Sequence, residues 1–289
     1  MPSDLPLSLP AILLDPHLQT WLQEDIGRGD WSTAGLGDLA RRPGAAIWVA
    51  KAPGIIAGLP VAARVFHLLD PAASFDPQVA EGSLCEPGTV VANLRGSLTT
   101  LLMGERVALN LAMRLSGIAT ATRQSVDALA DYPTQFVDTR KTTPGLRLLE
   151  KYATRVGGAF NHRLGLDDAV MIKDNHIAAA GGIRAAVEQV RKTIPYTLNI
   201  EVETSDLSQV KEALACGVEI IMLDNMSPDV MTMAVQIIRQ ANPRIKIEAS
   251  GNVTLDTLRP IAETGVDFIS SSAPITRAPW LDLSMRMVE

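Results

Sequence analysis

From Gln135 to Ser270 the chain repeats one pattern: a short apolar run that ends in a polar cluster, then an amphipathic helical stretch. The runs are Gln135–Asp138, Ala169–Ile172, Leu198–Val202, Ile220–Leu223, Ile245–Ala249 and Phe268–Ser270. Near-continuous apolar strands need cover on both faces, which parallel pairing with crossover helices supplies. The fold class is therefore α/β, with about six parallel strands in a barrel or a doubly wound sheet. Either arrangement collects functional groups at the carboxyl ends of its strands.

The first half reads differently. Leu9 to Glu24 has helical apolar spacing, broken by Gly27 and Gly29. Ala45–Lys51, Gly54–Leu59 and Thr89–Leu94 are β-type runs punctuated by Pro and Gly, which predicts an α+β region with a small, mostly antiparallel sheet. Gly104 to Ala130 forms a long helical stretch, read as the hinge between halves. The three prolines of Met1–Pro10 predict an irregular arm. At 289 residues the chain is nearly twice an ordinary domain, and 47% apolar with 20% charged residues lets it bury a core. A net charge of -6 recruits neither nucleic acid nor an anionic membrane. Cys85 and Cys216 are too few for a disulfide framework or a thiolate metal site, which suits a reducing compartment. No apolar stretch approaches the ~18 residues of a membrane span, so the expected location is cytoplasmic.

The strand ends carry the chemistry. They are Thr139-Arg140-Lys141-Thr142, Lys173-Asp174-Asn175-His176, Glu203, Asp224-Asn225, Ser250-Gly251-Asn252 and Ser270-Ser271-Ser272. If they converge, Arg140, Lys141 and Lys173, helped by His162 and Arg163, clamp a polyanionic ligand, because guanidinium forks bind carboxylates and phosphates bidentately. Glu203 and Asp224 can hold Mg²⁺ and ribose hydroxyls or stabilise a developing cation. Ser250-Gly251-Asn252, ahead of a helix beginning near Thr254, can offer N–H groups to a phosphate. Glu201 alternates with Glu203, so one of the two is expected to face the barrel's interior or the opposite side. Arg155, Arg184 and Lys192 read as solvated or salt-bridging groups, and His17 and His67 as surface or capping residues.

These motifs resemble the quinolinate phosphoribosyltransferases over almost the whole chain. The resemblance is carried by Glu24-Asp25-Ile26-Gly27-Arg28-Gly29-Asp30, Glu105-Arg106 with Asn110, Leu115 to Thr120, and Asp138-Thr139-Arg140-Lys141-Thr142-Thr143-Pro144-Gly145. It continues through Asn161-His162-Arg163, Lys173-Asp174-Asn175-His176, Glu201-Val202-Glu203, Met222-Leu223-Asp224-Asn225 and Glu248-Ala249-Ser250-Gly251-Asn252. The resemblance implies an N-terminal α+β sandwich over residues 1–116, joined by the C-terminal segment 275–289. An incomplete, open α/β barrel would occupy 117–274. The implied reaction joins quinolinate to phosphoribosyl pyrophosphate with Mg²⁺, giving nicotinate mononucleotide, pyrophosphate and CO₂ in de novo NAD synthesis. Arg140, His162, Arg163 and Lys173, with Thr139, would hold the pyridine dicarboxylate. Arg106 would enter from the partner of a homodimer with a shared site. Lys141, Glu203 and Asp224 would serve the ribosyl donor, the two carboxylates as metal ligands, while Ser250, Gly251, Asn252, Ser271 and Ser272 would cradle phosphate. The alternatives are a Schiff-base barrel lyase using Lys141 or Lys173, or a protein of the same fold acting on another substrate.

Overall fold

The structure, a computed structural model, describes residues 9–288. All of the expected N-terminal arm except Leu9 and Pro10 lies outside these. The chain divides into two compact units. One contains the described residues up to Arg123, Thr143–Gly158 and the segment from Arg277 onward; the other contains Gln124–Thr142 and Ala159–Thr276.

The first unit holds strands β1 (Pro43–Ala50), β2 (Gly54–Ile55), β3 (Ser74–Pro77), β4 (Leu84–Cys85) and β5 (Val90–Ser97). The second holds β6 (Gln135–Val137), β7 (Val170–Ile172), β8 (Ile200–Thr204), β9 (Ile220–Asp224), β10 (Lys246–Ser250) and β11 (Phe268–Ser270). Strand β12 (Leu283–Val288) returns to the first unit.

In the first unit, β12, β1, β5 and β3 form an antiparallel sheet in that order, and β2 pairs with β4. Trp48 on β1 is fully buried and packs edge-on against Phe66 and Phe75, with ring centroids 6.4 and 5.1 Å away. The Gly54–Leu59 run yields only a two-residue strand, because Gly58 turns to φ +95° and the helix Leu59–Leu69 starts there. The long helix runs Leu98–Ala128, opening earlier than its spacing suggests, where the Ser97 hydroxyl accepts the Thr100 N–H at 3.1 Å. Within that helix, a Cβ at Gly117 would lie 2.0 Å from the Pro279 carbonyl oxygen. A glycine, costing about 1 kcal/mol in a helix interior, is what admits the returning C-terminal segment. Thr143–Gly158, expected within the barrel, belongs to this unit: buried Glu150 accepts from Arg114 at 2.7 Å and from the Thr143 N–H at 2.8 Å.

In the second unit six parallel strands follow the order β6-β11-β10-β9-β8-β7, and β6 and β7 remain as edges, so the barrel is open. Side chains alternate across each strand. Val202, Ile221, Leu223, Ile247 and Ala249 belong to a core closed by the helices Ile183–Arg191, Leu207–Ala215, Pro228–Ala241 and Leu255–Ala262. Intervening positions face the barrel axis and build the site.

Candidate active site

A pocket in the second unit is lined by Thr139, Arg140, Lys141, His162, Arg163, Met171, Lys173, Met222, Glu248, Ser250 and Ser270. Seven of the site residues anticipated from sequence thus surround one cavity, and four of them are Arg or Lys. Residues two apart on a strand share a face. Glu201 and Glu203 accordingly both project inward, so of the two placements expected, the barrel's interior and the opposite side, the interior is the one observed. Glu203 accepts from the Lys173 ammonium, whereas Glu201, one layer deeper, meets His162.

The His162 loop is fixed from below. Buried Asp138, just after β6, accepts the Asn161 amide at 2.6 Å and the His162 N–H at 2.9 Å. His162 Nδ1 in turn accepts the Arg163 backbone N–H at 2.7 Å. The other ring nitrogen, Nε2, stands 3.1 Å from Glu201 Oε2 and 3.5 Å from Glu248 Oε2. His162, Glu201 and Glu248 bring potential ligand atoms within 4.8 Å of one another. Burial foremost, then the Glu201 charge, pushes Glu248 up to about 7, against the pull of His162. Arg163 is lowered, first by burial and then by Arg140, and its Nη1 donates to the Ala169 carbonyl at 2.8 Å.

The loop after β10 is tied to the loop after β9. Asn225 N–H donates to the Ser250 carbonyl at 2.9 Å, and Asn252 Nδ2 donates to Asn225 Oδ1 at 3.0 Å. Asn225 Nδ2 donates to Asp224 Oδ2 at 2.7 Å. Asn225 and Asn252 adopt φ +54° and +50°, left-handed values that asparagine tolerates. Asp224, Ser250, Gly251 and Asn252 thus belong to one knot, of which Ser250 reaches the pocket wall. Ser271 Oγ accepts the Ala273 N–H at 3.2 Å, and the Ser272 carbonyl accepts Ile275 N–H at 3.0 Å. Ser270, not Ser271 or Ser272, lines the pocket. Arg106 belongs to the other unit, where its side chain is 59% exposed and 3.8 Å from Glu105.

Comparison with known proteins places this geometry. Residues 30–116 match the N-terminal domain of quinolinate phosphoribosyl transferase, and residues 118–286 match its C-terminal domain. The chain belongs to the quinolinate phosphoribosyl transferase family. It is 68% identical to a probable nicotinate-nucleotide pyrophosphorylase [carboxylating] of Synechocystis, over 96% of this chain and 94% of the relative. Identity to the human nicotinate-nucleotide pyrophosphorylase [carboxylating] is 39%, over 98% and 94% of the two chains. Among solved structures, NadC from Streptococcus pyogenes superposes with a TM-score of 0.91 at 42% identity, covering 97% of this chain and 98% of that one.

Within this family member, Glu203 and Asp224 offer oxygen ligands from neighbouring strand ends and both are partly exposed. Hard oxygen donors without a closed cage suit Mg²⁺, which keeps waters and takes further ligands from phosphates. Sequence reasoning placed Ser270 in the strand-end cluster but passed over Met171, Met222 and Glu248 as site residues. Their signal was parity: each shares the inward face of its strand with a strand-end group.

Proposed function

We propose that this protein transfers the phosphoribosyl group of phosphoribosyl pyrophosphate to quinolinate with loss of CO₂, forming nicotinate mononucleotide and pyrophosphate. The observation that carries the reading is the pocket of Arg140, Lys141, Arg163 and Lys173 at the strand ends of a chain that matches both domains of the family. Arg140, Arg163 and Lys173 supply the charge that two adjacent carboxylates require, and Thr139 flanks them. His162 sets the course of the loop that carries Arg163. Glu203 and Asp224 face the ribosyl donor, where carboxylates stabilise oxocarbenium character, and Lys141 neutralises the departing pyrophosphate. Ser250, Gly251 and Asn252 take a phosphate, with Ser271 and Ser272 at its edge. Mg²⁺ bound by Glu203 and Asp224 would offset the pyrophosphate charge. Once the ring nitrogen is quaternised it is an electron sink for decarboxylation, so no organic cofactor is needed.

The same reading makes the working unit a homodimer in which Arg106 reaches the partner's pocket. Its supports are the exposure of that guanidinium and of Ile12 and Trp31, at 83% and 84%, in the same compact unit. A cytoplasmic location accords with the reducing-compartment cysteines. Among the described residues no helix is long and apolar enough to cross a membrane.

The test is formation of nicotinate mononucleotide from quinolinate and phosphoribosyl pyrophosphate, with and without Mg²⁺. Phthalate should compete with quinolinate, and nicotinate should be a negligible substrate. Equal turnover of nicotinate and quinolinate would defeat the assignment of a two-carboxylate clamp.

A further inference from the structure

Decarboxylation leaves the electron pair of the broken C–C bond on ring carbon 2, beside the quaternary nitrogen, and that carbanion must take up a proton. We propose that the Glu248 carboxyl delivers it. The inference rests on the phosphoribosyl-transfer reading.

Glu248 is the only carboxyl among the described residues that line the pocket, and it is 5% exposed. Its Oε1 is buried and the Ser270 hydroxyl hydrogen-bonds to this carboxyl, while Oε2 stands 3.5 Å from His162 Nε2. The other proton carriers on the wall are committed. Arg140, Lys141, Arg163 and Lys173 hold the anionic ligands by being charged, and Lys173 is engaged by Glu203. Both ring nitrogens of His162 are in use, Nδ1 toward Arg163 and Nε2 toward Glu201.

The Glu201 and Glu248 oxygens lie within 4.8 Å of one another in a buried layer, where the Glu201 charge opposes ionisation of Glu248. The charged and titratable groups facing Glu248 are Glu201 from β8, His162 from the loop below the clamp and Lys173 from the end of β7. Burial and the Glu201 charge favour the acid form, and it titrates near 7.

The step balances. The Glu248 O–H bond breaks and leaves its electrons on the carboxylate; the carbon 2 electron pair forms the new C–H bond; CO₂ has already left. After the nucleotide departs, water returns the proton, driven by repulsion between the two bare carboxylates.

The experiment is the pH dependence of kcat, at saturating substrates and Mg²⁺, for wild type, Glu248→Gln and Glu201→Gln. Wild-type kcat should fall as pH rises through about 7. Glu248→Gln should lose kcat by about 10²-fold and lack that limb, with quinolinate affinity, measured calorimetrically, changed less than about twofold. Glu201→Gln removes the neighbouring charge, so its limb should move to lower pH. A Glu248→Gln enzyme with wild-type kcat, or one that keeps the limb, overturns the proposal. If Glu248→Gln does not fold, an unmoved limb in Glu201→Gln does so instead. Absence of nicotinate mononucleotide from the wild type at every pH would overturn the phosphoribosyl-transfer reading itself.

Discussion

Gly251 stands where no side chain fits. Its φ is +92°, and a Cβ built there would lie 2.2 Å from Asn225 Oδ1 and 2.9 Å from the Asn225 backbone nitrogen. The side-chain contact could yield by rotation, but the backbone contact and the left-handed conformation remain. Gly251→Ala should therefore cost about 1–3 kcal/mol of stability and push the Asn225–Asn252 knot apart. Because that knot holds Asp224 through Asn225, the KM for phosphoribosyl pyrophosphate should rise while quinolinate affinity stays nearly constant. Steady-state kinetics with each substrate varied in turn checks this, and a selective rise in the quinolinate KM would contradict it.

At the scale of elements, the helix Leu59–Leu69 begins without a cap of its own: its N-cap is Gly58, which has no side chain. Glu81 supplies the cap from a distance. Its carboxylate accepts the N–H groups of Gly58 and Leu59, the latter at 3.1 Å, two donors that no turn of the helix could satisfy. Tyr152 also donates to it. Removing the acceptor leaves these donors facing a buried cavity, so Glu81→Ala should destabilise the fold by about 2–3 kcal/mol, read from denaturant unfolding. Burial, the largest influence, holds Glu81 above its ordinary value of 4.5 despite the hydrogen bonds that pull it down. The folded state thus binds this proton more tightly than the unfolded chain does. This contribution to stability is full below 4.5 and is lost as pH rises through the folded-state value. Glu81→Gln should flatten that part of the stability profile while retaining some of the capping.

For the whole molecule, the proposed sharing of a site between subunits has a quantitative consequence. Inactive Arg106→Ala and Lys173→Ala homodimers, unfolded together and refolded, pair at random. If Arg106 acts in trans, each mixed dimer has one site with both lesions and one with neither. Half the dimers are mixed and half their sites intact, so activity should recover to about one quarter of wild type. If Arg106 acts in cis, every site keeps one lesion and mixing restores nothing, provided mass measurements confirm that mixed dimers formed.

By itself the sequence determined the six barrel strands, because short apolar or alternating runs that end in polar clusters recur between amphipathic helical stretches. It also determined most of the basic wall, since Thr139, Arg140, Lys141, Lys173 and Ser250 are local to strand ends. Strand β12, with its mixed Leu-Ser-Met-Arg-Met-Val composition, is a strand only because β1 offers it an edge. Thr143–Gly158 packs with the first unit because Arg114 and Thr143 satisfy the buried Glu150. The deepest layer of the site was likewise decided by tertiary structure. Periodicity reports which face of a strand is buried, not what lies across the barrel from it. Curvature of the sheet brought Glu201 and Glu248 to one histidine, whose other ring nitrogen accepts the Arg163 backbone N–H.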